Sequence, residues 1–130
     1  MSNTIAPYVL SALRIVAALS FMMHGTQKLF GWPTNKPQPT AEMFSQFWVA
    51  GVIETFGGLL MLLGLFTTPV AFVLSGQMAV AFFQAHFPNG FWPVLNGGEL
   101  ASLYCFLWLF FAAAGAGPIS LDAILFKRRT

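Results

Sequence analysis

Charge is what this sequence lacks most. Of its 130 residues only 8% are charged and 57% are hydrophobic, with a mean hydropathy of +0.72. A soluble domain carries roughly 25% charged residues. So sparse a set of charges cannot cover a water-facing surface, and a lipid bilayer must be the solvent. Length allows one domain over 1–130. Cysteine is nearly absent as well. The single Cys105 can form neither an internal disulfide nor a CxxC pair. It sits in an apolar run, where a thiol is an inert small hydrophobe. Phosphate loops, nucleotide fingerprints and a Ser-His-Asp order are missing. No HxxxH or ExxH pair lies on one helix, although two histidines and two glutamates fall towards one end of the spans. A bundle metal site ordinarily uses such spacing, so no metal is expected. Three of the six basic residues are the terminal Lys127, Arg128 and Arg129. That is a membrane-flanking tail and not a nucleic-acid surface. The N-terminus has no basic n-region, and Arg14 interrupts its apolar stretch, so it reads as a retained first span rather than a signal peptide.

What is present is four apolar segments of about the 20 residues a spanning helix needs. They run over about 8–30, 47–66, 69–87 and 98–116, the first opening after Pro7, a favourable first helical residue. The polar loops 31–46 and 88–97 fall on one membrane face, and a tight link at 67–68 makes the second and third helices antiparallel neighbours. The expected fold is an all-α membrane protein, an antiparallel four-transmembrane-helix bundle. The basic tail predicts both termini in the cytoplasm, and Trp32, Trp48 and Trp92 an aromatic belt on the outer face.

The few polar residues are patterned. FMMHGTQKLFGW, residues 21–32, begins as membrane filling and turns polar while remaining helical. His24, Gln27 and Lys28 share one face there. Arg14, Ala17, Phe21, His24 and Lys28 have spacings of 3, 4, 3 and 4, a seam expected to face the bundle. In the second helix Gly51, Glu54 and Gly58 share a face, and the glycines predict a close helix contact. At about 1.5 Å per residue His24 and Glu54 lie at similar depths, about 9–10 Å inside the outer helix ends. A charge at the bilayer centre costs at least roughly 2.5–3.5 kcal/mol, which predicts a Glu54–Lys28 pair. Such a pair fixes helix register or serves a site, and Arg14 either snorkels or turns inward. Gln77, Ala81 and Gln84 form a third-helix stripe, whose glutamines are expected to bond between helices. His86, Asn96 and Glu99 mark the outer mouth.

The segments LRIVAALSFMMHGTQKLFGW, ETFGGLLMLLGLFTTPVA and NGGELASLYCFLWLFFAAAGAGPISLD together resemble the DoxX family of small bacterial membrane proteins, over nearly the whole chain. The resemblance rests on Arg14, HG at 24–25, Lys28, Glu54 with GG at 57–58, GL at 64–65, NGGE at 96–99, and GP with SLD at 117–122. It implies a four-span protein of the bacterial inner membrane. Related DoxD-type subunits are associated with thiosulfate:quinone oxidoreductase, and other relatives serve as membrane partners of soluble enzymes under thiol stress. The residues the resemblance carries over are Arg14, His24, Lys28, Glu54, Asn96, Glu99 and Asp122. The leading expectation is a quinone-linked oxidoreductase component, with quinone as its cofactor. His24, Glu54 and Lys28 form the expected catalytic set, and Arg14, Gln27, Gln77, Gln84, His86 and Glu99 are expected to line the cofactor site. With no flavin motif or thiol pair, electrons must come from a partner, a substrate or a further cofactor, such as a soluble oxidoreductase or a second membrane subunit. Two other readings use the same residues. One is a membrane anchor for a soluble redox enzyme, and the other is a small-molecule or proton-coupled carrier. A homo-oligomer is compatible with all three.

Overall fold

Glycine and proline set most of the helix ends in the computed structural model, which describes residues 4–35 and 39–126. Helix α1, Ala6–Phe30, has a proline in its first turn and closes on Gly31 in the left-handed region at φ 70°. Helix α2, Gln46–Leu63, starts where the Ser45 hydroxyl accepts from Trp48 N at 3.1 Å. It stops at Gly64, φ 67°, with Gly64 N donating to Met61 O and Leu65 N to Leu60 O. This is a Schellman closure, and it ends α2 ahead of the expected boundary at 66. Helix α3 spans Thr67–Ala81, then loosens into one π turn, Phe82–His86, and tightens into a 3₁₀ turn, Phe87–Asn89. A short α4, Pro93–Asn96, interrupts the second long loop. Helices α5, Glu99–Ala114, and α6, Leu121–Leu125, complete the order.

The chain is therefore all helical, with no strand among the described residues. Three helical stretches, Ala6–Phe30, Gln46–Leu63 and Thr67–Asn89, are long and apolar enough to cross a membrane, and the apolar α5 has 16 residues. These lengths fit the expected helical membrane bundle. The chain divides into two compact units. One is Met1–Thr67 with Ala116–Thr130, and the other is Thr68–Gly115.

In the first unit α1 and α2 run antiparallel. Gly25 lies against Thr55 and Gly51, Met22 against Gly58, and Arg14 against Met61. A Cβ on Gly25 would stand 2.5 Å from Thr55 N, so no other residue fits there without parting the helices. The buried face of α1 is Ser11, Arg14, Ala17, Ala18, Phe21 and Gly25. That of α2 is Gly51, Glu54, Gly58 and Met61. Both step by 3 and 4, with Ala17 beside Ala18 in the first. In the second unit α3 and α5 are also antiparallel. Ser75 Oγ donates to Cys105 O at 2.7 Å, and Phe82 packs on Gly98. The α5 residues Ala101, Tyr104, Trp108 and Phe111 are buried, with the Tyr104 and Trp108 rings stacked at 5.8 Å.

Candidate functional site

The α1–α2 contact brings one cation and one carboxylate together. Gly51 lets the Lys28 stem lie against α2, since a Cβ there would be 3.0 Å from Lys28 Cβ. Three residues further along the same α2 face, Glu54 accepts from Lys28 Nζ at 2.5 Å. The Glu54 side chain is 2% exposed and that of Lys28 19%. Lys28 Nζ also lies 5.2 Å from the centre of the Phe47 ring, a cation–π contact at the mouth of the pair. The pair expected from the sequence is thus present. Phe47 is not among the expected residues, because a phenylalanine at the start of an apolar helix carries no distinguishing signal.

Coupling across this pair is open to direct measurement. Lys28→Met strands a buried carboxylate and is expected to cost about 3 kcal/mol in detergent melts, and Glu54→Gln, which leaves the partly exposed ammonium a neutral acceptor, should cost less. The double variant should lose less than the sum, by about 0.5–3 kcal/mol of coupling. Strict additivity would mean that the two groups do not depend on each other.

His24 is placed differently from expectation. The seam 14, 17, 21, 24, 28 and the observed buried face 11, 14, 17, 18, 21, 25 share Arg14, Ala17 and Phe21 and then diverge by one residue. Gly25 takes the point of closest approach, and His24, about 100° around the helix, is exposed. It is therefore on the α1 surface and not in the seam, one turn from Lys28 and beside Gly25, which meets α2 at Gly51 and Thr55.

Gln27 closes the helix end. Its Nε2 donates to Pro33 O at 2.7 Å, while Gly31 N donates to Gln27 O and Ala41 N to Lys28 O. The polar end of α1 is therefore both a capped terminus, through Gln27, and half of a buried ion pair, through Lys28.

Arg14 neither snorkels nor faces an open site. It is 1% exposed. Its Nε donates to Met61 O at 2.8 Å, its Nη2 to Ile119 O at 2.7 Å and Leu62 O at 3.4 Å, and its Nη1 to Ala116 O. The guanidinium thus caps the carbonyl end of α2, where a cation is favoured, and ties it to the segment after α5. Asp122 completes the clasp from the other side. Its carboxylate accepts from Phe66 N at 2.8 Å and Thr67 N at 2.9 Å, at the first residue of α3. Ser11 accepts from Ile119 N, and Gly64 O accepts from Asp122 N. GPISLD is thereby accounted for as a strap across helix ends, which Arg14 holds to the end of α2.

In the second unit the π turn resets the expected glutamine stripe. One extra residue in a turn rotates the remainder of the helix by about 100°. Gln77 is half-buried and Gln84 exposed. His86 Nδ1 meets Asn96 O at 3.2 Å. Asn96 is itself buried, donating from Nδ2 to Gly90 O and accepting at Oδ1 from Gly98 N, both at 2.8 Å. Glu99 is exposed in the first turn of α5, a favoured place for an anion. Among the described residues no three His, Cys, Asp or Glu side chains converge as a metal site would require.

Similarity to known proteins agrees with the pattern. The profile of the DoxX family matches residues 9–87. A protein of Haemophilus influenzae (strain KW20 / Rd), described only as an uncharacterized protein, is 45% identical over 126 residues, covering 94% of each chain. No solved structure matches significantly.

Proposed function

The chain belongs to the DoxX family, and from that premise we propose that it is the membrane component of a quinone-linked oxidoreductase, with the Lys28–Glu54 pair as its polar centre. The observation that carries this reading is a nearly fully buried carboxylate held to a lysine that keeps one open side, under an aromatic ring. A structural ion pair gains nothing from an opening. A site that exchanges protons with a lipid-borne ring needs one. The donor set suits a quinone, with an ammonium to donate to a carbonyl oxygen, a carboxylate to hold a proton and Phe47 to flank the ring. When bound, a quinone supplies electron transfer coupled to protons. Lys28 Nζ is the fixed donor, and Glu54 is the carboxylate placed to take up and release the proton. His24, exposed one turn away, passes protons to the pair. The lone Cys105, whose Sγ lies 3.6 Å from Ser75 Oγ, offers no thiol–disulfide couple, so electrons come from a partner. Mass spectrometry of small molecules retained after gentle purification should find a quinone. A soluble oxidoreductase copurifying in its place, with no quinone retained, would replace this reading with that of an anchor.

The protein is a multi-span membrane protein. We place it in the bacterial inner membrane with both termini in the cytoplasm, on the basis of Lys127, Arg128 and Arg129 against Lys36 on the opposite side. All four lie outside the described residues. Reporter fusions at Thr130 and within the 31–46 loop should give cytoplasmic and periplasmic signals respectively, and a periplasmic signal at Thr130 would overturn the orientation.

A further inference from the structure

His86 is mounted with more care than a rim histidine requires. A carbonyl oxygen only accepts, so the contact to Asn96 O assigns the ring proton to Nδ1. In that tautomer Nε2 is a bare acceptor, and it has no hydrogen-bond partner among the described residues. Three sequence features hold the ring through its Nδ1 contact. The π turn Phe82–His86 sets the ring at the end of α3. Asn96 is locked by both ends of its side chain, which fixes the carbonyl that holds Nδ1. Gly97, at φ 77°, makes the turn that brings this carbonyl to the imidazole, and a Cβ there would sit 3.7 Å from Nδ1. A histidine whose second nitrogen is fixed by a backbone carbonyl is the arrangement that aims and tunes an acceptor.

The surroundings indicate what it accepts. Phe82 lies 6.5 Å from the imidazole, Phe83 and Phe87 follow at ring distances of 5.4–6.3 Å, and Phe91 lies 6.2 Å beyond Phe87. Phe83, Phe87 and Phe91 are exposed. None of these wall residues is charged. A wall of aromatic faces and edges with one neutral acceptor suits an aromatic ring bearing a hydroxyl donor.

We propose that His86 Nε2 is the hydrogen-bond acceptor for the hydroxyl of an aromatic ring bound against Phe82, Phe83 and Phe87. This rests on the quinone-linked reading only for the natural ligand, which would be the hydroxyl-bearing, reduced form of the ring. The acceptor chemistry rests on the His86 geometry alone.

The probes are 4-butylphenol and its methyl ether, 4-butylanisole, added to the full chain in detergent. Histidine ¹⁵N spectra, assigned with His24→Asn, should show Nδ1 protonated and Nε2 bare, with the Nε2 resonance moving on addition of the phenol and not of the ether. Ligand-observed saturation transfer should show the phenol favoured over the ether about 3–10-fold more in the parent than in His86→Phe, the worth of one neutral hydrogen bond. Comparing the ratio cancels micelle partitioning and general loss of stability. An Nε2-protonated tautomer, or an equal ratio in both proteins, would overturn the proposal. If His86→Phe fails to fold, the spectra of the parent decide alone. Phenol binding at His86 without quinone-dependent turnover would sink the proposed function and leave this site standing. Turnover with an unchanged ratio would do the reverse.

Discussion

Arg14→Met is expected to destabilise the protein by about 3–5 kcal/mol, the largest single-residue effect on the fold. Its four acceptors are not equivalent. Met61 O is shared with Gly64 N, and Ala116 O with Ser11 Oγ at 3.4 Å. Leu62 O and Ile119 O gain a side-chain donor from Arg14. Losing the guanidinium removes the donor from the part-buried Leu62 O and Ile119 O and one of two donors from the buried Met61 O and Ala116 O, and it takes the cation from the end of α2. Methionine fills much of the volume, so the loss reports hydrogen bonds more than a cavity. Arg14→Lys should recover only part of the stability. An ammonium is a point donor, and it cannot span acceptors on Met61, Leu62, Ala116 and Ile119 as a planar fork does. Denaturant or thermal melts in detergent measure both variants, and limited proteolysis near Ile119 should show the strap released in Arg14→Met. A protein as stable as the parent, with a protected strap, would remove Arg14 from the clasp.

The same residue shows how far the sequence can be read. A lone arginine in an apolar helix must find acceptors, and that much is legible. Which acceptors is not, because they sit 47 to 105 positions away, on backbone carbonyls that leave no trace in side-chain identity. Lys28–Glu54 is legible for the complementary reason. In lipid, a buried cation and a buried anion at similar depth have few alternatives to each other. The phase of α1 is ambiguous at 24–25 because spacings of 3 and 4 admit two neighbouring faces. The histidine is the more conspicuous residue, but the glycine decides the face, since only its missing Cβ lets Thr55 and Gly51 approach. The position of Gln84 depends on a π turn that no periodicity in FFQAHF announces. Asn96 can be placed at the outer mouth from NGGE, but its bond to His86 depends on Gly97 adopting a positive φ.

Quinone-dependent turnover, measured with the purified protein, its electron donor and a soluble quinone, should fall by roughly 10²–10⁴-fold in Glu54→Gln, the usual worth of a positioned proton-transfer group. Glutamine keeps the volume and can still accept from Lys28 Nζ, but it cannot hold the proton. Loss of rate beyond what loss of folded protein explains therefore isolates the chemistry. His24→Asn separates a relay from a store. His24 is exposed, outside the α1–α2 contact, so the variant should melt like the parent. If it carries protons to the pair, turnover should drop with unchanged stability, and added small buffer acids should restore part of it. They should not restore Glu54→Gln, because the parent carboxylate lies at a position only 2% exposed, which a buffer acid does not reach. Gln84→Leu, an exposed change with no part in proton transfer, should leave turnover near the parent value. Normal turnover in both Glu54→Gln and His24→Asn would make the ion pair a register device between α1 and α2. The protein would then act by holding a partner at the membrane, and its loops, not its polar centre, would be the place to look for function.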